Sequence, residues 1–211
     1  MEPKWRRRAQ DRPDEVLDAA LKMFARNGFA ATKVEDIARE AGLSKGAIYR
    51  YFDSKEDVFE SLVNRAIAPL ANRTLELAET SQEDPEKLVR AVMSVLAAKL
   101  DDSDALALPL IVLQEAGRFP ELAALYRRQV VDKAITALEL IVRRGVESGQ
   151  FRQVDPHLAI RNLMGPMLAH FILMQIFEVD RDNPVPAQDF LRSHLDILMH
   201  GLLERPRGSG A

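Results

Sequence analysis

The stretch that most constrains this chain is TKVEDIAREAGLSKGAIYRYF, residues 32–52. It reads as two short helices joined by a tight turn. Thr32 opens the first, and Glu35 stands where a Thr-x-x-Glu capping box needs it. Val34, Ile37, Ala38 and Ala41 recur at helical spacing and form one apolar face. Gly42 ends the helix, because glycine takes a left-handed cap without steric cost. Leu43 fills the corner, and Ser44 caps a second helix running through Ile48 to Phe52. Helix, glycine-bearing turn and helix together make the helix-turn-helix pattern.

The second helix has an unusual outer face. Ile48 and Phe52 point inward, which leaves Lys45, Gly46, Ala47, Tyr49, Arg50 and Tyr51 outside. Solubility does not call for two tyrosines on so short a helix. Their hydroxyls and rings suit phosphate and sugar, and Gly46 with Ala47 lets the backbone approach base edges. Packing of the tyrosines on neighbouring helices is the plainer alternative. It accounts for either tyrosine singly, but not for the whole constellation.

The run Thr32, Ile37-Ala38, Ala41-Gly42-Leu43-Ser44-Lys45-Gly46, Tyr49-Arg50-Tyr51-Phe52 and Lys55 resembles the amino-terminal DNA-binding domain of the TetR family of transcriptional regulators. The resemblance covers about residues 12–65, with cap, turn glycine, aromatic pair and following lysine in register. Tyr51 stands where many members carry histidine, and both can donate to a phosphate. The resemblance implies DNA contacts from Thr32, Lys33, Ser44, Lys45, Gly46, Ala47, Tyr49, Arg50, Tyr51 and Lys55. Lys45, Tyr49, Tyr51 and Lys55 are then phosphate contacts, and Arg50 lies closest to base edges. Beyond residue 65 the likeness is one of architecture and length.

Charge distribution agrees with this. Net charge is −3, yet residues 1–55 hold 12 Lys and Arg against 9 Asp and Glu, and the remainder hold 17 against 23. A basic end on an acidic body suits one end meeting phosphate. Arg6, Arg7 and Arg8 form a basic arm that can follow the backbone or enter a minor groove, or else remain a solvated tail. The start carries charge without an apolar run, unlike a secretory signal, and no stretch has the roughly 20 apolar residues a membrane span requires. With no cysteine there is no disulfide framework, and the expectation is a cytoplasmic protein.

Along the chain, periodicity predicts an all-α fold of about nine helices and no strands. Arg12-Pro13-Asp14-Glu15 opens the first, which buries Leu17, Ala20, Leu21 and Phe24 and stops at Gly28. The fourth spans about 54–78, with Ser54 as cap and Pro69 bending it. Asp84-Pro85 and Asp155-Pro156 are caps followed by proline at the first helical position. A long seventh helix is expected over 121–147. Gly165-Pro166 predicts a kink in the eighth, and the last helix begins at Ala187. The expected division is an arm and DNA-binding domain over 1–55 and a ligand-binding and dimerisation domain over 56–211.

The last two helices hold more apolar surface than one packed layer uses. In the family resembled, the final pair forms a four-helix bundle with its twin. Gly165 and Ala169 permit close approach, and Phe190, Leu191, His194, Leu195, Leu198 and Leu202 could supply the seam, or be buried within one chain. A homodimer would read a palindromic operator. Met93, Leu96, Leu113, Phe119, Tyr126, Met164, Met167, Phe171 and Met174 are candidates for an apolar pocket, with Gln114, Tyr126 and His170 as its polar groups. Ordinary core packing competes for each of them.

An enzyme is the main rival. The histidines 157, 170, 194 and 200 form no metal-ligand pair, and no Gly-x-Ser-x-Gly or phosphate-binding glycine loop is present. No cofactor or metal is expected. The reading is a ligand-responsive DNA-binding regulator, most often a repressor by resemblance, released by a small apolar molecule.

Overall fold

The structure, a computed structural model, describes residues 12–101 and 103–202. Its elements are helices: α1 Arg12–Asn27, α2 Val34–Glu40, α3 Lys45–Ile48, α4 Lys55–Ala66, α5 Ala68–Thr80 and α6 Pro85–Leu100. Then follow α7 Ser103–Glu115, α8 Pro120–Tyr126, a π-helical turn Arg127–Val131, α9 Asp132–Glu147, α10 Pro156–Gln175 and α11 Ala187–Leu202. Among the described residues no helix is long and apolar enough to cross a membrane.

Two of the expected helices depart from a single α-helical run. The fourth stops at Ala66, and Ile67 has φ −124°. Pro69 has no N–H to give the Arg65 carbonyl and its ring crowds that oxygen, so the interruption falls upstream of it. The proline then sits in the first turn of α5, where it is tolerated. The seventh is divided by the π-helical turn. The eighth, observed as α10, runs on through Pro166.

The described residues cluster into two compact units. One takes in the chain up to Leu70 together with Asp104–Val131, the other Ala71–Ser103 together with Asp132 onward. A cut after residue 55 therefore differs from this grouping, in which α4 packs on α1 and on α8.

The first unit is built around an aromatic centre. Phe29 lies 5.1 Å from Phe24, 5.7 Å from Phe59 and 5.1 Å from Phe119, centroid to centroid. Val16, Ala20, Ile37, Ile48, Val58, Leu62 and Val63 close round these rings. Such tilted and edge-on pairs add to the burial they share. Arg65 ties the last turn of α4 to the first two turns of α1, through Asp14 at 3.2 Å and Asp18 at 2.6 Å.

The second unit packs α6, α9, α10 and α11 over Met93, Leu138, Ile141, Leu163, Met167, Leu191 and Leu195. Asp84 caps α6 by accepting from the Lys87 N–H at 3.0 Å, and its other oxygen accepts from Gln150 Nε2 at 2.7 Å. Gly145 lets the Phe151 ring lie on α9: a Cβ there would stand 2.2 Å from ring carbon Cδ2.

Candidate nucleic-acid interface

The turn between α2 and α3 is set by hydrogen bonds from two residues. Gly42, at φ +66°, donates to the Arg39 carbonyl at 3.2 Å, and Leu43 donates to Ala38 at 2.8 Å. This is the paired closure of a glycine-capped helix, with Leu43 tucked against the core. Ser44 then accepts from the Ala47 N–H at 3.2 Å and starts α3.

Below α3, Ile48 and Phe52 are buried. Above it, Ser44, Lys45, Gly46 and Arg50 are exposed, and Tyr49 and Tyr51 keep 45% and 38% of their surface open. Ala47 is half-buried. A Cβ on Gly46 would meet nothing within 4 Å, so the backbone there is bare. The helical stretch is shorter than expected, ending at Ile48, with Tyr49 and Tyr51 in the turn that follows.

Three cations near this face have partners, and those of Lys45 and Lys55 were not indicated by sequence spacing. The Lys45 ammonium pairs with the Glu35 carboxylate across the turn and lies 5.6 Å from the Tyr49 ring centroid. Their shared hydrogen bond holds the Glu35 carboxyl below its ordinary range and raises the Lys45 ammonium. Arg39 pairs with Asp36 at 3.1 Å. Lys55 turns inward: its Nζ donates to the Phe29 carbonyl at 2.7 Å and sits 4.3 Å from that ring's centroid. Burial pushes its pKa down.

Thr32 is likewise not on the surface. It is 1% exposed, and its hydroxyl is set to donate to the carbonyl of Gly28 at 2.8 Å or of Met23 at 3.1 Å. The capping role passes to Lys33, whose own N–H donates to Asp36 Oδ2 at 3.2 Å; the Lys33 side chain is exposed. The box is thus shifted by one residue, because the Thr32 hydroxyl is spent on closing the α1–α2 loop. Glu115 from α7 holds the same loop, accepting from the Ala30 N–H at 3.0 Å. Arg6, Arg7 and Arg8 lie outside the described residues.

Residues 16–62 match the family described as bacterial regulatory proteins, tetR family, and residues 80–185 match the tetracyclin repressor-like C-terminal domain. The chain belongs to the TetR family of bacterial regulators. It is a DNA-binding transcriptional regulator and not an enzyme. The repressor KstR2 of Rhodococcus jostii is 30% identical over 157 residues, 72% of this chain and 74% of that protein. The fatty acid metabolism regulator of Bacillus subtilis is 26% identical over 163 residues, 74% of this chain and 80% of its own. SmeT, repressor of a Stenotrophomonas maltophilia multidrug efflux pump, was solved with triclosan; it aligns at TM-score 0.77 and 26% identity over 95% of this chain and 94% of its own.

The TetR body carries the remaining candidates. Of the pocket residues, Leu113, Gln114, Phe119 and Tyr126 belong to the first unit and the other seven to the second. Met93, Met167, His170 and Phe171 are buried, and Leu96, Met164 and Met174 are half-buried. Leu113 and Gln114 are exposed. Burial pushes the Tyr126 hydroxyl up to about 12. His170 stacks on Phe190 at 4.5 Å, and His194 donates from Nε2 to the Leu163 carbonyl at 3.0 Å. A groove of about 330 Å3 lies elsewhere, between Glu139, Arg143, Val154 and His157, and none of the expected pocket residues lines it.

The residues expected at the seam divide between surface and core. Gly165 and Ala169 are exposed, but Leu191 and Leu195 are buried inside the second unit, and Phe190, His194 and Leu198 are half-buried there. The Leu202 side chain lies outside what is described. Within α10 and α11 the exposed large apolar side chains are Leu158, Leu168, Leu173 and Ile197, Leu168 at 57% and Ile197 at 72%. The α11 stripe packs on α6 and α10. Which residues of α10 stay exposed was not legible, because α10 is apolar on most sides and gives no single stripe.

Proposed function

We propose that this TetR regulator is a homodimeric repressor that binds a palindromic operator in the cytoplasm and leaves it when a small, largely apolar molecule binds the body. The observation that carries the reading is the open Tyr49–Arg50–Tyr51 face with a bare Gly46 backbone over an anchored Ile48 and Phe52. Tyr49, Tyr51, Lys45 and Lys33 hold phosphates, and Arg50 with the Gly46–Ala47 backbone meets base edges. Thr32 and Lys55 serve from beneath by fixing the α1–α2 loop.

The leftover apolar surface of α10 and α11 supports the dimer. Leu158, Leu168 and Leu173 are exposed on α10 beside the small residues Gly165 and Ala169, which allow close approach, and Ile197 is exposed on α11. Two copies joined there present two α3 helices, which a duplex accepts if they lie about 34–36 Å apart or a multiple of that. Apolar release is supported by SmeT solved with triclosan and by FadR of Bacillus subtilis solved with stearoyl-CoA, at 26% identity and TM-score 0.71. The effector acts only through its differential affinity for the two states of the dimer.

The test is selection of duplexes from a random pool by the purified protein, followed by titration of the recovered site. The reading expects a palindrome, bound by two chains and released by an apolar compound that raises the melting temperature. A recovered site without twofold symmetry would contradict the dimer, and no enrichment at all would contradict the operator.

A further inference from the structure

Glu35 is an acid placed on a surface meant for phosphate. It stands in the first turn of α2, and its carboxylate crosses the turn to the ammonium of Lys45, the first residue of α3. The two side chains are about half exposed, 48% and 51%, so the pair lies on the open face and not in the core. The other acid of that turn, Asp36, is occupied by the Lys33 N–H and Arg39. Glu35 alone reaches across to the reading helix, where it meets a cation that also borders the Tyr49 ring.

A closed pair carries no net charge, so a duplex approaching it gains no counterion release from that lysine. Opening the pair near phosphates leaves the carboxylate repelled by them. A complex with random sequence is held almost wholly by phosphate contacts and has nothing further with which to offset that opening. In the operator complex, base contacts from Arg50 and the Gly46–Ala47 backbone hold α3 deep enough for a phosphate to take the ammonium over.

We propose that Glu35 is a specificity-determining residue: it withholds Lys45 from random-sequence duplex and yields it to phosphate in the operator complex. The proposal rests on α3 as the reading helix. It ascribes to Glu35 a penalty on wrong sites and no contact with the right one, a repulsive element of the kind that separates partners.

The experiment compares wild type, Glu35→Gln and Glu35→Gln with Lys45→Ala. Each is titrated by fluorescence anisotropy against the selected operator duplex and a random-sequence duplex of equal length, between 50 and 200 mM NaCl. Glu35→Gln gives a random-duplex salt slope steeper by about one, so that affinity falls about three- to fourfold more over that range, with the operator slope unchanged. The ratio of operator to random affinity drops, and adding Lys45→Ala restores the wild-type slope. An equal steepening on both duplexes, or none on either, overturns the proposal. So does a selected motif that loses a cytosine in Glu35→Gln, because the carboxylate would then be reading its amino group. A wild type that binds neither duplex sinks the DNA-reading role of α3 and this proposal with it.

Discussion

Gly145 shows how little room one methyl has in the second unit. The Phe151 ring already occupies the space a side chain would take, with Cδ2 at 2.2 Å from an ideal Cβ. Phe151 is buried and cannot step aside without opening the core round Ile141 and Val142. Gly145→Ala is expected to cost about 1–3 kcal/mol or more, as overpacked interiors do. A urea titration checks it, and an unchanged midpoint would mean that the ring moves freely. Tyr126 gives a second residue-scale expectation. Its folded pKa is about 12, against an ordinary value of 10.0. A raised pKa leaves its stabilisation intact below about pH 10 and removes it as pH climbs towards 12. Phenolate absorbance should show one of the three tyrosines ionising late, and Tyr126→Phe should abolish that late step. A wild type without that late step would contradict the burial.

Among the elements, the caps decide where helices begin. Asp84 holds the start of α6 and the Gln150 side chain together. Asp84→Ala should lower stability by about 1–2 kcal/mol, the range for a lost cap with an added partner. Hydrogen bonding to the Lys87 N–H pulls the Asp84 pKa down, so this contribution is present above the ordinary carboxylate pKa and lost as pH falls through the folded value. Comparing urea midpoints of Asp84→Ala and wild type at pH 7 and pH 3 checks both, with the gap closing in acid. Caps were also the most legible feature of the sequence. Ser44, Ser54, Asp84 and Asp155 all stand where their side-chain chemistry placed them. Thr32 misled because a hydroxyl can satisfy the carbonyl of a preceding loop as well as a following N–H, and spacing alone does not separate the two. Lys55 misled in a similar way: its place beside the α4 start was read correctly, but the Phe29 carbonyl that takes its ammonium lies 26 residues away. The break at Ile67 was legible in kind from Pro69, and its exact place depended on the carbonyl four residues earlier.

For the whole molecule, the legible part was the all-α class and the reading helix, because helical period and turn chemistry are local. The exposed side of α10 was not, since that helix is apolar nearly all round and only packing reveals which side is left over. Ile197→Glu is accordingly expected to shift the protein towards monomer in sedimentation velocity and to weaken operator binding at low protein concentration. An unchanged sedimentation coefficient at all concentrations would remove that face from the dimer. The central claim concerns the α3 face itself, and the most direct measurement is a titration of the selected duplex with Tyr49→Ala, with Ile48 and Phe52 left to hold the support beneath. The account expects affinity to fall about tenfold or more, a loss of roughly 1.4 kcal/mol or above, with the fold intact by circular dichroism. Wild-type affinity in that variant would contradict it.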